Sequence, residues 1–356
     1  MDNLARQLVA AGQKVVILAP KPRRAHDDAQ YPYPVVRYRR PLSKRHGVRL
    51  AIAKLATLHL RHRFDVLHCH ATYPPGFVAA TFRRWLGVPF VVRPHGSDIL
   101  PGEQICKHPR LRARVASTLA EADGIIAQGR YLREVIEHLL PPRTSQDRLH
   151  TIHNGVNLSQ FAQAPRPLDR PYLLSLGNLW PRKGFDLVLS AFAQLKTQHL
   201  DLVIAGEGPE GPALRRLADA LGLSARVRFL GQVVGEAKAG WYRHAEAFVC
   251  ASRREPFANV ILEAQAAGLP VVATAVGGNT ELVQHLRNGL LCPAEDVTAL
   301  TAALNQLLHD RELAQRLRRN VPTMVQRFDW SAIAREYLTL YRQVVNTRGC
   351  QRTRAA

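Results

Sequence analysis

Residues 252–281 read SRREPFANVILEAQAAGLPVVATAVGGNTE, and residues 288–296 read NGLLCPAED. Glu255 and Glu263 stand eight apart, joined by an apolar segment. The pattern predicts Glu255 in a loop after the apolar strand Ala247–Ala251. It predicts Glu263 two turns into a helix, Ala258–Ala267, on the rim of a site. Gly268-Leu269-Pro270 then leads into a second apolar strand from Val271. Strand, loop, helix and strand in that order form the unit of a parallel sheet wrapped by helices. One acid at a helix mouth and another along the helix can hold two parts of one polyhydroxylated ligand. Hydrogen bonds to a carboxylate are about twice as strong as neutral ones. Taken alone, the pair also reads as two solvated helix charges.

The same alternation extends in both directions. Strands are predicted at Lys14–Ala19, Val35–Arg39, Asp65–Cys69, Pro89–Arg93, Gly124–Ala127 and Leu149–Ile152. They continue at Tyr172–Leu176, Leu200–Ala205 and Val227–Leu230, with helical periodicity in the gaps. The segment Phe161–Pro171 has three prolines in its last seven residues and reads as an extended linker. The expected organisation is a domain over 1–160, a linker over 161–171, a second domain over 172–328, a helix over 329–346 and a disordered tail over 347–356. Two doubly wound domains of this kind take ligands at strand C-terminal ends, facing the cleft between them.

The chain has 356 residues, enough for two ordinary domains, with 46% apolar content. No apolar run approaches the ~20 residues that span a bilayer, and no basic-then-apolar leader opens the chain. Five dispersed cysteines without metal-type spacing fit a reducing cytoplasm. Net charge is +21 and uneven: residues 1–165 carry 25 basic side chains against 11 acidic. The densest cluster is Arg37, Arg39, Arg40, Lys44, Arg45, Arg49, Lys54, Arg61 and Arg63. Such a face suits anionic lipid, at about 1 kcal/mol per basic residue near the surface, or is simply solvated. No nucleic-acid module accompanies it, so nucleic acid is not an expected partner.

Further motifs sit where a sheet would end. Arg182 and Lys183, after the strand that ends before Gly177, form a basic loop entering a helix. That arrangement is a plausible anion site, since arginine forks a phosphate and lysine adds a point charge. Gly206 opens a glycine-rich turn before another helix. Arg93-Pro-His95-Gly-Ser-Asp98 follows an apolar strand, with Asp98 read as a cap on the next turn. His68-Cys-His70 follows another. Two histidines at that spacing invite a metal reading, but no third ligand stands nearby.

The succession Ser, Glu, Phe, Glu-Ala, Gly-x-Pro-Val-Val, Gly-Gly, Glu, Asn-Gly, Asp resembles the donor-site signature of retaining glycosyltransferases of family 4. These use sugar nucleotides and have the GT-B fold. The resemblance covers almost the whole chain: the Gly-Gly turn at Gly277, His153-Asn-Gly-Val-Asn157, the His-Gly-x-Asp loop at His95, the His-x-His loop and the closing helix after Phe328-Asp-Trp330. It implies that Glu263 holds the donor ribose and Glu255 the sugar hydroxyls. Arg182 and Lys183 would meet the leaving diphosphate without a metal, beside the amides of Phe257, Ala258 and Asn259 and the turns at Gly177 and Gly206. Asn178 stands where the family often has arginine. His95 would lie beside the transferred sugar, with His68, His70 and Asp98 on the acceptor side. The resemblance also implies a central strand and Gly-rich turn ahead of the first helix, so the first strand of the N-terminal domain is expected to be missing from this sequence.

The expected function is a cytoplasmic retaining glycosyltransferase, peripheral at the inner membrane face. It would move sugar from a nucleotide-diphosphate donor to a glycan or lipid-linked acceptor in cell-surface polysaccharide or glycolipid synthesis. A non-catalytic sugar-nucleotide-binding relic and a GT-B-type sugar-nucleotide epimerase are the alternatives. No cofactor is expected beyond the donor substrate.

Overall fold

The computed structural model describes residues 2–22, 27–39, 44–100, 107–141, 144–197 and 199–354. The chain divides into two compact units, Met1–His153 with Trp330–Ala356, and Asn154–Asp329.

Among its described residues, the first unit holds six parallel strands in two pieces. Strands β1 (Ile17–Pro20) and β2 (Val35–Tyr38) pair with each other. Strands β3 (Leu67–His70), β4 (Phe90–Arg93), β5 (Gly124–Ala127) and β6 (Leu149–Thr151) form a separate sheet in that order. β1 and β2 are half-buried along their whole length, whereas every residue of β4 and β5 is buried. A parallel strand covered on both faces is a continuous apolar run, and Val91, Val92, Ile125 and Ile126 supply it. One face of the four-stranded sheet packs Phe90, Val92 and Ile125 against Val115, Leu119 and Ile136. On the other face, Val91, Ile126 and Ile152 meet Leu4 and Leu8 of the helix Asp2–Ala10. They also meet Ile333, Tyr337 and Leu340 of the helix Trp330–Arg354. That long helix continues through residues 347–354, for which the sequence reading expects a disordered tail.

The second unit is one unbroken sheet. Strands β7 (Tyr172–Leu176), β8 (Asp201–Ala205), β9 (Val227–Gly231), β10 (Ala247–Cys250), β11 (Val271–Thr274) and β12 (Gly289–Cys292) run β12-β11-β10-β7-β8-β9, all parallel. The strand order reverses between β10 and β7, which makes their C-terminal ends the switch point where open α/β sheets take ligands.

Residues 154–171 belong to this second unit. The stretch expected to be a linker between the units is anchored to the second at its start, where Phe161 and Ala164 are buried, while Pro165 and Pro167 are exposed. Arg243 Nη1 donates to Phe161 O at 3.2 Å, and the Ala164 carbonyl lies 3.0 Å from His244 Nε2. Prolines do not prevent packing where no backbone ladder is required.

Candidate active site

In the second unit the loops after β7 and β10 are tied together by side chains. Lys183, in the short turn Pro181–Lys183, makes a close ion pair with Glu255 in the loop after β10. Glu255 is 4% exposed, and Ser252 Oγ donates to the same carboxylate oxygen at 3.3 Å. Arg182, the residue before Lys183, is half-buried, with no ion-pair or hydrogen-bond partner for its guanidinium among the described residues. A held cation and an open one at the same strand ends form a ready anion site.

Arg253 fixes the spacing of these loops. Its guanidinium forks Asp186 at 2.8 and 2.6 Å and donates to Glu295 Oε1 at 2.6 Å and to Pro181 O at 2.7 Å. Its backbone N–H donates to Arg182 O at 2.8 Å. Burial pushes the Asp186 carboxyl up, but the Arg253 fork outweighs it and holds the group below its ordinary value. Two glycines let the backbones approach. A Cβ on Gly184, at φ +66°, would fall 2.0 Å from Ala251 O, and one on Gly206 would fall 1.9 Å from Gly177 O.

Glu263 lies in the helix Asn259–Ala266, which starts one residue later than expected and puts it one turn in rather than two. Lys238 Nζ donates to Glu263 Oε1 at 2.6 Å and Tyr242 OH to Oε2 at 3.0 Å. Burial, then the Glu263 charge, raises the Tyr242 pKa well above ordinary, so this phenol stays a donor. Phe257 and Ala258 are buried. The Asn259 amide donates to Phe257 O at 3.1 Å, which takes it out of the expected set of open amides. The Asn259 side chain accepts from Asn154 Nδ2 at 2.5 Å.

In the first unit, His68, His70 and His95 form a stack at the ends of β3 and β4. The ring centroids lie 4.3 Å apart for His68 and His70, and 5.5 Å apart for His70 and His95. Tyr341 OH lies 2.7 Å from His68 Nδ1, and Gln128 Nε2 is 3.1 Å from His95 Nδ1. Burial, followed by the charge of Arg93, lowers the His68 pKa to about 3 and that of His95 to about 4. Burial, then its histidine neighbour and Arg93, puts His70 well below its ordinary value. All three are therefore neutral imidazoles near pH 7. Among the described residues, no cluster of three or more His, Cys, Asp or Glu is arranged to hold a metal.

Asp98 does not cap the turn that follows it. Its Oδ1 accepts from His95 N at 2.8 Å, and its Oδ2 accepts from Thr72 N and Oγ1 at 2.7 and 3.0 Å. The carboxylate is 4% exposed and satisfied by these donors, so it locks the His95 loop onto the loop after β3. Sequence reasoning missed Lys238, Tyr242 and Arg253 in the second unit, and Arg93, Gln128, Tyr337 and Tyr341 in the first. The two consecutive arginines beside Glu255 were the one local signal for Arg253. The others come from elements far away in sequence.

Residues 157–324 match the family described as Glycosyl transferases group 1, and residues 1–160 match Glycosyltransferase Family 4. The chain is 32% identical over 307 residues to a D-inositol 3-phosphate glycosyltransferase 1 of Catenulispora acidiphila, spanning 79% of this chain and 73% of that protein. Its fold is similar to that of a sucrose-phosphate synthase of Thermosynechococcus elongatus, with a TM-score of 0.82 and 26% identity over 97% of this chain and 92% of that one. Anabaena HepE, solved in complex with UDP-glucose, shares the fold with a TM-score of 0.74 at 22% identity, over 90% of this chain and 87% of that one.

Proposed function

We propose, since the chain belongs to the family 4 glycosyltransferases, that it holds a nucleotide-diphosphate sugar on its second unit and transfers the sugar, with retention, to a glycan or lipid-linked acceptor taken by its first. The observation that carries this reading is the Lys183–Glu255 pair with the open guanidinium of Arg182 beside it, at the strand ends where the sheet order reverses.

In this reading Arg182 and Lys183 meet the departing diphosphate. Negative charge grows there as the glycosidic bond breaks, so cations fixed in advance favour the transition state over the bound substrate. Glu255 accepts from the sugar hydroxyls and keeps Lys183 in place. Glu263, held by Lys238 and Tyr242, accepts from the ribose hydroxyls. The turns at Gly177 and Gly206 bring backbone close to the donor. His95, a neutral imidazole, sits by the transferred sugar, and His68 and His70 serve the acceptor side. Basic side chains supply the charge that a metal supplies elsewhere.

An anionic membrane surface is part of this proposal. The helix Lys44–His62 presents exposed Arg49, Lys54 and Arg61, and exposed Arg63 follows its end. Leu60 is 81% exposed and Trp85 69% exposed, the latter at the end of the helix Phe77–Leu86 that packs on it. Apolar side chains amid basic ones suit a lipid headgroup layer. Arg37 contributes less than the sequence suggests, because it pairs with Asp28 at 2.6 Å. Arg40 lies outside the described residues. Among them, no helix is long and apolar enough to cross a membrane.

The test is a donor screen by ligand-induced thermal shift, followed by turnover with the best donor in the presence of EDTA. Stabilisation by nucleotide sugars and EDTA-resistant transfer are expected. No stabilisation by any nucleotide sugar would overturn the reading. Loss of turnover to EDTA with recovery on Mg²⁺ would overturn its metal-free part.

A further inference from the structure

Among the described residues, Arg93 is a cation buried without a counter-charge. It ends β4 and is 3% exposed. Along β3 and β4 the register pairs His68 with Val91 and His70 with Arg93. Val91 faces the helix Trp330–Arg354, so side-chain alternation sends His68, His70 and Arg93 to that same face. The charge of Arg93 is felt by His68, His70, His95, Tyr337 and Tyr341, which places it among all five.

Four buried polar atoms in this group have no partner among the described residues: Arg93 Nε and Nη2, His68 Nε2 and Tyr337 Oη. Buried polar groups are nearly always hydrogen-bonded, and a buried charge left alone is costlier still. The chemistry of the four atoms agrees. Nε and Nη2 form one edge of the guanidinium, the fork that matches two oxygens of a carboxylate or phosphate. Tyr341 OH and His68 Nδ1 are hydrogen-bonded at 2.7 Å; with Tyr341, whose proton is kept by burial, as the donor, the His68 proton sits on Nε2, and this is the tautomer that a bound oxyanion would favour. Tyr337 Oη is a fourth donor. In that tautomer all four can donate to one acceptor, and the two Arg93 nitrogens can do nothing else. On the solvent side stand His70 and His95, 3.3 Å apart through Nδ1 and Nε2.

We propose that the Arg93 Nε–Nη2 edge, with His68 Nε2 and Tyr337 Oη, is a subsite for an oxyanion, phosphate or carboxylate, carried by the acceptor. Naming the acceptor as the source rests on the proposed function; the oxyanion site itself rests on the four donors.

The experiment titrates the full chain, with histidines isotopically labelled, against inorganic phosphate and separately against acetate. It follows the His68 imidazole signals by NMR. Nucleotide-sugar binding is measured in parallel by calorimetry. Phosphate should shift His68 saturably in the wild type and in Lys183→Ala, which removes a cation only from the second unit. In Arg93→Gln the affinity should fall at least tenfold. If Arg93→Gln does not fold, Arg93→Lys keeps the charge and loses the fork, and should bind severalfold more weakly with native signal dispersion. Saturation by phosphate alone identifies a phosphate ester as the group carried, and saturation by acetate extends it to carboxylates. No saturable His68 shift in the wild type, or unchanged affinity in both Arg93 variants, overturns the subsite. That failure with nucleotide-sugar binding intact leaves the proposed function standing. A His68 response without nucleotide-sugar binding does the reverse.

Discussion

The two units put polar groups at the same address, the C-terminal ends of parallel strands, and treat charge there in opposite ways. In the second unit the acids of the site are matched: Glu255 with Lys183, Glu263 with Lys238, and Asp186 and Glu295 with Arg253. In the first unit the histidines are neutral, the Asp98 carboxylate is held by backbone and hydroxyl donors rather than by a cation, and Arg93 makes no ion pair among the described residues. The sheets differ in parallel, one continuous over six strands and the other in pieces of two and four. Paired charges fix geometry in advance and are costly to break. A lone cation in a neutral surround waits for its counter-charge to arrive with a ligand. The difference teaches that one α/β scaffold can host a site built to be complete and a site built to be completed.

The largest effect that would break this comparison is at Lys183. Lys183→Ala leaves Glu255 buried and unpaired, and breaking a buried pair typically costs about 3–5 kcal/mol. Denaturant unfolding should register that loss, and kcat should fall about 10²–10³-fold, the size usual for losing one fixed transition-state group. Lys183→Met with Glu255→Gln should recover much of the stability and none of the turnover. Recovery of turnover in that double variant would mean the pair is only structural.

Next in size is Glu263. Glu263→Ala should weaken donor binding at least tenfold, about 1.4 kcal/mol, in a protein that still folds. Unchanged donor affinity by calorimetry would remove Glu263 from the ribose.

Acid should separate the units more gently. The histidine stack binds protons more weakly folded than unfolded, where the pKa is about 6.5. Below that pH the unfolded chain therefore takes up more protons, and stability falls. It should be full above about pH 6.5 and decline as pH falls toward about 4, where His95 titrates, and about 3, where His68 does. His95→Gln should flatten part of the decline in melting temperature between pH 7 and 4. An unaltered acid profile would show that the stack is not what titrates.

The smallest expected effect is at the membrane. Leu60→Ser with Trp85→Ser should lower binding to anionic vesicles a few-fold, and salt should weaken what remains, since exposed charges are screened over about 8–10 Å near physiological ionic strength. Equal binding to neutral vesicles, or none to either kind, would assign the basic face to solvent.

How much of this was legible in the sequence follows a physical divide. β5 and β7 were read with both boundaries, because Gly-Ile-Ile-Ala and Tyr-Leu-Leu-Ser-Leu are short apolar runs bounded by turn residues. The loops after β7 and β10 were legible because their residues are consecutive: Arg182 and Lys183 in one turn, Glu255 in another. What each side chain touches was not. Lys238 reaches Glu263 across 25 residues, and Tyr341 reaches His68 across 273. Arg93 was read only as the end of a strand. Its burial depends on a helix from the far end of the chain. The proline run was expected between the units and instead falls within the second, because Phe161 and Ala164 ahead of its prolines are buried there.

The chain enters the second unit and leaves it at neighbouring points. Val156 N donates to Phe328 O at 2.8 Å, and Val156 bridges Asp329. The second unit is thus a closed excursion of 176 residues inside the first. At about 5–20 residues per second of synthesis, the ribosome needs roughly 9–35 s to produce it. Throughout that interval Val91, Ile126 and Ile152 lack Ile333, Tyr337 and Leu340, which complete their face. The unit that is first in sequence is therefore the last to close its core, and the order of folding runs against the order of translation.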